Sequence, residues 1–175
     1  MQAGIRDAEF DDAGAISEIA NALLSSTAIE WTDTPHTPEE RSRWLAAQQA
    51  AGFPVLVATR GTSVVGWAGY GDFRDTARWP GYRFTAELTI HVRQAAWGGG
   101  VGAALMHALV ERARQAGKHV LVAGVDGGNE RSLRFHARMG FREVARMPQV
   151  GAKLGRWLDL VLLQRILDDR PVPPA

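Results

Sequence analysis

The stretch TIHVRQAAWGGGVGAALMHALVERARQAG, residues 89–117, decides the fold. It opens on apolar alternation, passes through Gly98, Gly99, Gly100 and Gly102, and ends in a stripe of Val101, Leu105, Ala108, Leu109 and Ala113. A period of two gives way to a period of 3.6, so a strand runs through a glycine turn into a helix. A helix start presents unpaired N–H groups and the positive end of the backbone dipole. Glycines let those amides approach an anion because no Cβ stands in the way. Four glycines in five positions therefore read as a phosphate cradle rather than as a tight turn alone.

Working outward, TAELTIHVR (85–93) sets Leu88, Ile90 and Val92 on one strand face and Glu87, Thr89 and His91 on the other. VLVAT and VVGWAGY, joined by a Gly-containing turn, predict a hairpin over 55–70. Before it, QAGIR is a short strand, and Asp11 or Asp12 is placed to cap a helix carrying Ile16, Ile19, Ala20, Leu23 and Leu24. Thr37, Pro38 and Glu40 form a capping box with proline at the first helical position, and Gly52 ends that helix. Downstream, HVLVAGV is a buried strand, and a helix from about Asn129 stops at Gly140. FREVARM and RWLDLVLLQR are the last strands. The order βααβββαβαββ implies an α/β fold with a mixed, mostly antiparallel central sheet flanked by helices. Residues 1–167 read as one domain, with 168–175 a loose tail.

A net charge of +1 provides no electrostatic case for nucleic acid or a membrane surface. The absence of cysteine excludes disulfides, zinc–cysteine sites and a cysteine nucleophile. No His/Asp/Glu grouping has metal-ligand spacing, so no metal is expected. The N-terminus lacks a basic start followed by an apolar run, and no segment is long and apolar enough to span a bilayer. The chain reads as soluble and cytoplasmic.

Two phosphate-binding patterns compete for the glycine turn. A P-loop fails, because no Gly-Lys-Ser/Thr closes the cluster. A dinucleotide fingerprint fits Gly98, Gly100 and Ala103, with Asp126 ending the next strand. That fingerprint normally opens the first βαβ unit, whereas here a hairpin and two helices come first.

VRQAAWGGGVGAALM resembles motif A of the GCN5-related N-acetyltransferases, Gln/Arg-x-x-Gly-x-Gly/Ala, with Gly100 and Gly102 at its glycines. NERSLRFHARMGF is similar to their motif B. STAIEWTDTP, AGYGDFR and MPQVGAKLGRWLDL resemble hallmarks of the phosphinothricin and methionine sulfoximine acetyltransferase subfamily. The resemblance covers nearly the whole chain. It implies acetyl-CoA as the acetyl donor, with the diphosphate on Gly98, Gly99, Gly100, Val101, Gly102 and Ala103. The pantetheine arm would pair with the backbone of Ile90, His91 and Val92 and with Asn129. Two departures stand out: the motif's Gln/Arg falls at Trp97, and a position commonly Lys or Arg is Gly99. Weaker acetyl-CoA binding is expected from them, with Trp97 either packing on the adenine or lying on the surface.

An ammonium must lose a proton before it attacks a thioester, which calls for a base. The resemblance puts the subfamily's catalytic glutamate at Glu87. It puts His136 where many relatives carry a tyrosine thought to protonate the thiolate. The resemblance also implies a small amino-acid-like amine as acceptor, of the methionine sulfoximine, methionine sulfone or phosphinothricin type, and a homodimer. A carboxylate-bearing acceptor wants a guanidinium, so Arg74 and Arg83 are candidates, beside Thr27 and with Lys153 arriving from a neighbouring subunit. Ile29, Trp31, Phe73 and Tyr82 could wall the pocket. The side chain of His91 reads as structural, and His36, His107 and His119 as surface residues. Two other classes stay open at this stage: a small dinucleotide-dependent oxidoreductase and a non-catalytic acyl-CoA-binding module.

Overall fold

The computed structural model describes residues 3–22 and 24–174; Leu23, expected on the first helical stripe, lies outside the described residues. The strands are β1 (Gly4–Asp7), β2 (Val55–Arg60), β3 (Ser63–Asp72), β4 (Thr85–Val92), β5 (Val120–Asp126), β6 (Arg142–Lys153) and β7 (Arg156–Ile166). The helices are α1 (Ala13–Asn21), α2 (Pro38–Ala50), α3 (Val101–Gln115) and α4 (Glu130–Arg138). All strands join one sheet in the order β1-β2-β3-β4-β5-β7-β6. Among the described residues only β4 and β5 run parallel. A dinucleotide-binding sheet would be parallel throughout, so the topology removes that alternative.

The alternation along β4 sorts its two faces as expected. Ala86 and Leu88 are buried under α3, whose Val101, Leu105, Met106, Leu109 and Ala113 share their core cluster. Each such leucine removed from water contributes about 2 kcal/mol. On the opposite face α1 and α2 cover the hairpin: Ile16, Ile19 and Leu45 pack with Val55, Val57 and Trp67. The capping box starts α2 as the sequence implied. Thr37 Oγ1 accepts the Glu40 N–H at 3.1 Å, and the Glu40 carboxylate accepts the Thr37 N–H at 2.9 Å.

Some expectations need correction. Asp12 precedes α1 but makes no cap hydrogen bond with its side chain. It accepts instead from Arg6, at 2.6 and 2.8 Å, and from the Glu9 N–H at 2.7 Å. A guanidinium within reach outcompetes a neutral helix amide. The strand expected at FREVARM continues to Lys153, with register shifts at Glu143/Ala145 and Met147/Gly151 that absorb Pro148. Of the segment expected to be loose, Asp168 accepts from His119 Nδ1 at 2.8 Å and Arg170 donates to the Gly117 carbonyl at 3.2 Å. His119 is thus a partnered residue, not a free surface imidazole.

Candidate active site

Pairing between β4 and β5 covers Thr85↔Val120, Ala86↔Leu121 and Glu87↔Val122. Beyond Glu87 the strands part: β4 stays with β3 through Val92, and β5 stays with β7 through Asp126. The split leaves the inner edges of both strands facing a gap. Backbone donors and acceptors on such an edge demand a partner, and an extended chain meets that demand by adding as a strand.

At the far end of the split lies the glycine turn. Gly98 and Gly100 have φ of +77° and +79°, a region closed to most side chains, and Gly100 is the residue from which α3 starts. Gly102 makes room for α4: a Cβ there would sit 3.3 Å from the Phe135 ring. The turn, Ile90–Val92, Asn129 and His136 line a cavity of about 390 Å³. Helix-start amides, an open strand edge and an apolar channel between them form a chemically suitable bed for a long ligand ending in a diphosphate.

The departures from motif A have structural answers. The Trp97 indole donates to the Val92 carbonyl at 2.7 Å and so ties the turn to the end of β4. It neither waits for an adenine nor lies idle on the surface. The Arg131 guanidinium stacks on its ring, 3.9 Å from the centroid. Arg60, from the end of β2, reaches the Gly99 carbonyl at 3.5 Å, and a Cβ at residue 99 would meet its Nη2 at 2.5 Å. Two guanidiniums from other elements thus flank a turn that has no cation of its own.

A second cavity, about 440 Å³, opens on the face covered by α1 and α2. Ile29, Glu30, Trp31, His36, Thr89 and Gly124 are among its walls. Glu30, Ile90, His91, Asn129 and His136 line both cavities and therefore stand at their junction. The Glu30 carboxylate is clasped by two imidazoles, with His91 Nε2 at 3.2 Å and His36 Nε2 at 3.3 Å. Burial pushes Glu30 up, yet the hydrogen bonds and charge of His91 and His36 outweigh it and hold the carboxyl below its ordinary value. The His91 ring in turn stacks on Trp67, with centroids 5.2 Å apart. His36 is therefore a site residue rather than a surface one, and His91 contributes its side chain as well as its backbone.

The C-terminal hairpin props this loop. A Cβ at Gly151 would run into the Trp31 ring, so glycine there admits the indole. Lys153 is buried and donates to the Glu30 carbonyl at 2.7 Å. The string MPQVGAKLGRWLDL has a physical task after all: it shapes a strand on which the loop of residues 29–31 can rest. Lys153, expected from a neighbouring subunit, is engaged by its own chain.

Glu87 lies at the apex of the split and on the acceptor face. Its Oε1 is within van der Waals distance of where a Cβ of Gly124 would be, and Gly124 lines the second cavity. Burial raises the Glu87 carboxyl above its ordinary value, and the nearby Arg74 opposes that only in part. His136 is buried. Its Nδ1 sits 2.9 Å from the Ser132 carbonyl, which can only accept, and 3.3 Å from the Ser132 hydroxyl; the shorter contact favours the proton on Nδ1. Nε2 is buried without a hydrogen-bond partner among the described residues, and burial lowers the imidazole's pKa. With the proton on Nδ1, the bare Nε2 can accept a hydrogen bond.

The remaining predicted residues divide. Gly98, Gly100, Val101, Gly102, Ala103 and Asn129 come together on the first cavity. The Asn129 side-chain oxygen is used to cap α4, accepting from the Ser132 N–H at 3.1 Å. Arg74 is exposed, stacked on Phe73 at 4.8 Å. Arg83 turns away: it stacks on Phe84 at 4.3 Å and donates to the Pro80 carbonyl. Phe73 and Tyr82 pack on one another rather than on the cavity walls. Thr27 is half-buried and its Oγ1 accepts the Ile29 N–H at 3.4 Å, helping to set the loop before Glu30. Glu30, Arg60 and Arg131 went unrecognised in the sequence, since nothing local distinguishes them from solvated charges. Among the described residues no group of three or more His, Cys, Asp or Glu could hold a metal ion, and no helix is long and apolar enough to cross a membrane.

Comparison with known families gives one decisive match: the profile of the acetyltransferase (GNAT) family spans residues 16–141. The chain belongs to this family. It is 42% identical over 171 residues to the L-methionine sulfoximine/L-methionine sulfone acetyltransferase of Salmonella typhimurium, covering 98% of each chain. It is 32% identical over 166 residues to the phosphinothricin N-acetyltransferase of Streptomyces coelicolor, covering 93% of this chain and 95% of that protein. Among solved structures, a Salmonella typhimurium acetyltransferase determined with acetyl-CoA superposes with a TM-score of 0.94 at 41% identity, over 100% and 99% of the two chains. The chain thus has the seven-stranded mixed sheet of its structural neighbours and is an enzyme of the N-acetyltransferase class.

Proposed function

We propose that this GNAT enzyme acetylates the α-amino group of a small amino-acid-like acceptor, of the methionine sulfoximine, methionine sulfone or phosphinothricin type, with acetyl-CoA as donor. The observation that carries the reading is the split after Glu87, with an anion cradle at one end and a carboxylate of raised pKa at the other. Bound acetyl-CoA supplies an activated thioester.

The chain's own groups then have separate tasks. Amides of residues 98–103 and the guanidiniums of Arg60 and Arg131 hold the diphosphate. The open edge of Ile90–Val92 orients the arm, and the buried Nε2 of His136 accepts a hydrogen bond from the arm or from an ordered water. Arg74 receives the acceptor's carboxylate; Arg83 is already committed to Phe84 and Pro80. Glu87, directly or through one water, takes the ammonium proton, and its raised pKa brings it closer to neutral pH, where a base is most effective. Attack is direct, because no cysteine is present to carry an acyl group. Two copies pair through the C-terminal hairpin, where Val144, Met147, Val150, Leu154 and Trp157 are exposed apolar side chains.

The test is thiol release from acetyl-CoA across a panel of L-amino acids, methionine sulfoximine, methionine sulfone and phosphinothricin. The expected result is turnover confined to carboxylate-bearing amines. Turnover of none of them, or equal turnover of amines lacking a carboxylate, removes the reading.

A further inference from the structure

The acceptor face of β4 carries two carboxylates in opposite electrostatic situations. Glu87 keeps an exposed side, but the partial burial of its carboxyl pushes it up, with Arg74 opposing. Glu30 is clasped by His91 and His36 and held down. Where the environments of two carboxylates push their proton affinities in opposite directions, one is suited to receive a proton and the other to remain an anion. Of the two, only Glu30 lines both cavities. The junction of the cavities is where an amine from one side meets an acyl group from the other. Asp126 also faces the second cavity, but it does not line the first, and its Oδ1 is taken by the Gly128 N–H at 3.2 Å.

We infer that the Glu30 carboxylate is the docking group for the acceptor's ammonium, held in place by His91 and His36 as positioning residues. The inference deepens the proposed function and rests on its assignment of an amine acceptor. Several features converge on this task. The loop bearing Glu30 is fixed at its backbone by Lys153 and beside it by Trp31 on Gly151. The carboxylate is fixed at both oxygens, so little further ordering is needed when a cation arrives. An imidazole on each side donates one hydrogen bond and leaves the remaining lone pairs of the carboxylate for an N–H donor. The stacking of His91 on Trp67 keeps that imidazole from following the substrate. An ammonium bound there is oriented for deprotonation, while the proton itself goes to Glu87.

The experiment measures binding, so it does not depend on turnover. Full-length protein is saturated with CoA and titrated with L-methionine sulfone or with its 2-hydroxy analogue, in which a hydroxyl replaces the ammonium; tryptophan fluorescence, with Trp31 in the cavity wall, reports occupancy. Wild type should bind the amine about tenfold or more tightly than the hydroxy analogue, as expected for a charge-assisted contact. Glu30→Gln should abolish that preference while leaving CoA affinity and affinity for the hydroxy analogue unchanged. His91→Gln and His36→Gln should each weaken amine binding by about threefold, the smaller effect of a positioning residue. A preference that survives Glu30→Gln overturns the inference, as does a loss of CoA affinity in that variant, which would assign Glu30 to the donor arm. Should Glu30→Gln fail to fold, the two histidine variants decide, and unchanged amine affinity in both overturns it. If wild type turns over no amine yet prefers the ammonium and loses that preference with Glu30→Gln, the catalytic reading falls and the docking assignment stands.

Discussion

The two sides of β4 solve different recognition problems with different materials. On the proposed donor side the groups on offer are backbone: the edge of Ile90–Val92 and the amides of one turn, residues 98–103. On the proposed acceptor side they are side chains from distant segments: Glu30 from the α1–α2 connection, Arg74 after β3, Glu87 and His91 on β4, with Lys153 of β6 beneath. Backbone recognition tolerates sequence change, which is why Trp97 and Gly99 can depart from the motif while Arg60 and Arg131 bring charge from elsewhere. Side-chain recognition has no such tolerance. Specificity is therefore concentrated on the face covered by α1 and α2.

The largest expected effect tests whether the acceptor side alone does the proton chemistry. Glu87→Gln should lower kcat by about 10²-fold or more, the usual contribution of a general base, with the acetyl-CoA dissociation constant unchanged. The acidic limb of the kcat/KM profile should lie above the ordinary glutamate value of 4.5, since burial raises this group. Activity rises with pH as Glu87 loses its proton, and the limb should vanish in the variant. A limb that persists in Glu87→Gln would move the base elsewhere. Removing the opposing charge sharpens the point: Arg74→Ala should shift the limb further upward and raise KM for the acceptor, not for acetyl-CoA, as read from full pH profiles.

Next in size is a change confined to the donor side. Gly100→Ala forces a side chain into the left-handed region at φ +79°, a strain of about 1–2 kcal/mol at the residue that starts α3. Calorimetric titration with CoA should show roughly tenfold weaker binding, with the amine-over-hydroxyl preference of the acceptor side intact. Loss of both would mean that the two sides are coupled more tightly than their separate construction implies. Smaller still, Arg60→Ala and Arg131→Ala should each raise KM for acetyl-CoA several-fold through lost charge at the cradle, an effect weakened by salt. The smallest is on the scaffold. Thr37→Ala removes the cap of α2 and should reduce stability by about 1 kcal/mol in thermal or urea unfolding. Because His36 adjoins that cap, any functional echo should fall on acceptor KM.

The same contrast explains what could be read early. The βααβββαβαββ order, the α2 capping box and the switch from strand to helix at residues 89–117 follow from patterns within a few residues of each other, and the folded chain has them. The site divides along the same line. Residues 98–103 announce themselves by composition, and Glu87 by the family resemblance of the strand that carries it. Glu30 does not, because its meaning lies in His91, sixty-one positions on, and in Lys153, far beyond both. Nor did His36, which looked like a solvated loop residue until the loop folded over β4. The role of His136 turned on which nitrogen meets the Ser132 carbonyl, a matter of rotamer and burial that helical spacing leaves open.

Periodicity, turn chemistry and glycine placement are local properties of a chain, and they were enough to give its secondary structure, the mixed α/β class and the glycine turn before α3. Cavities, ion pairs and proton affinities are properties of groups far apart in the chain, and they exist only once the sheet splits after Glu87 and the loop of residues 29–31 settles on β6. Their energies depend on distance and desolvation in three dimensions. For that reason the opposite environments of Glu30 and Glu87, on which the proposed division of their tasks rests, belong to the tertiary structure alone.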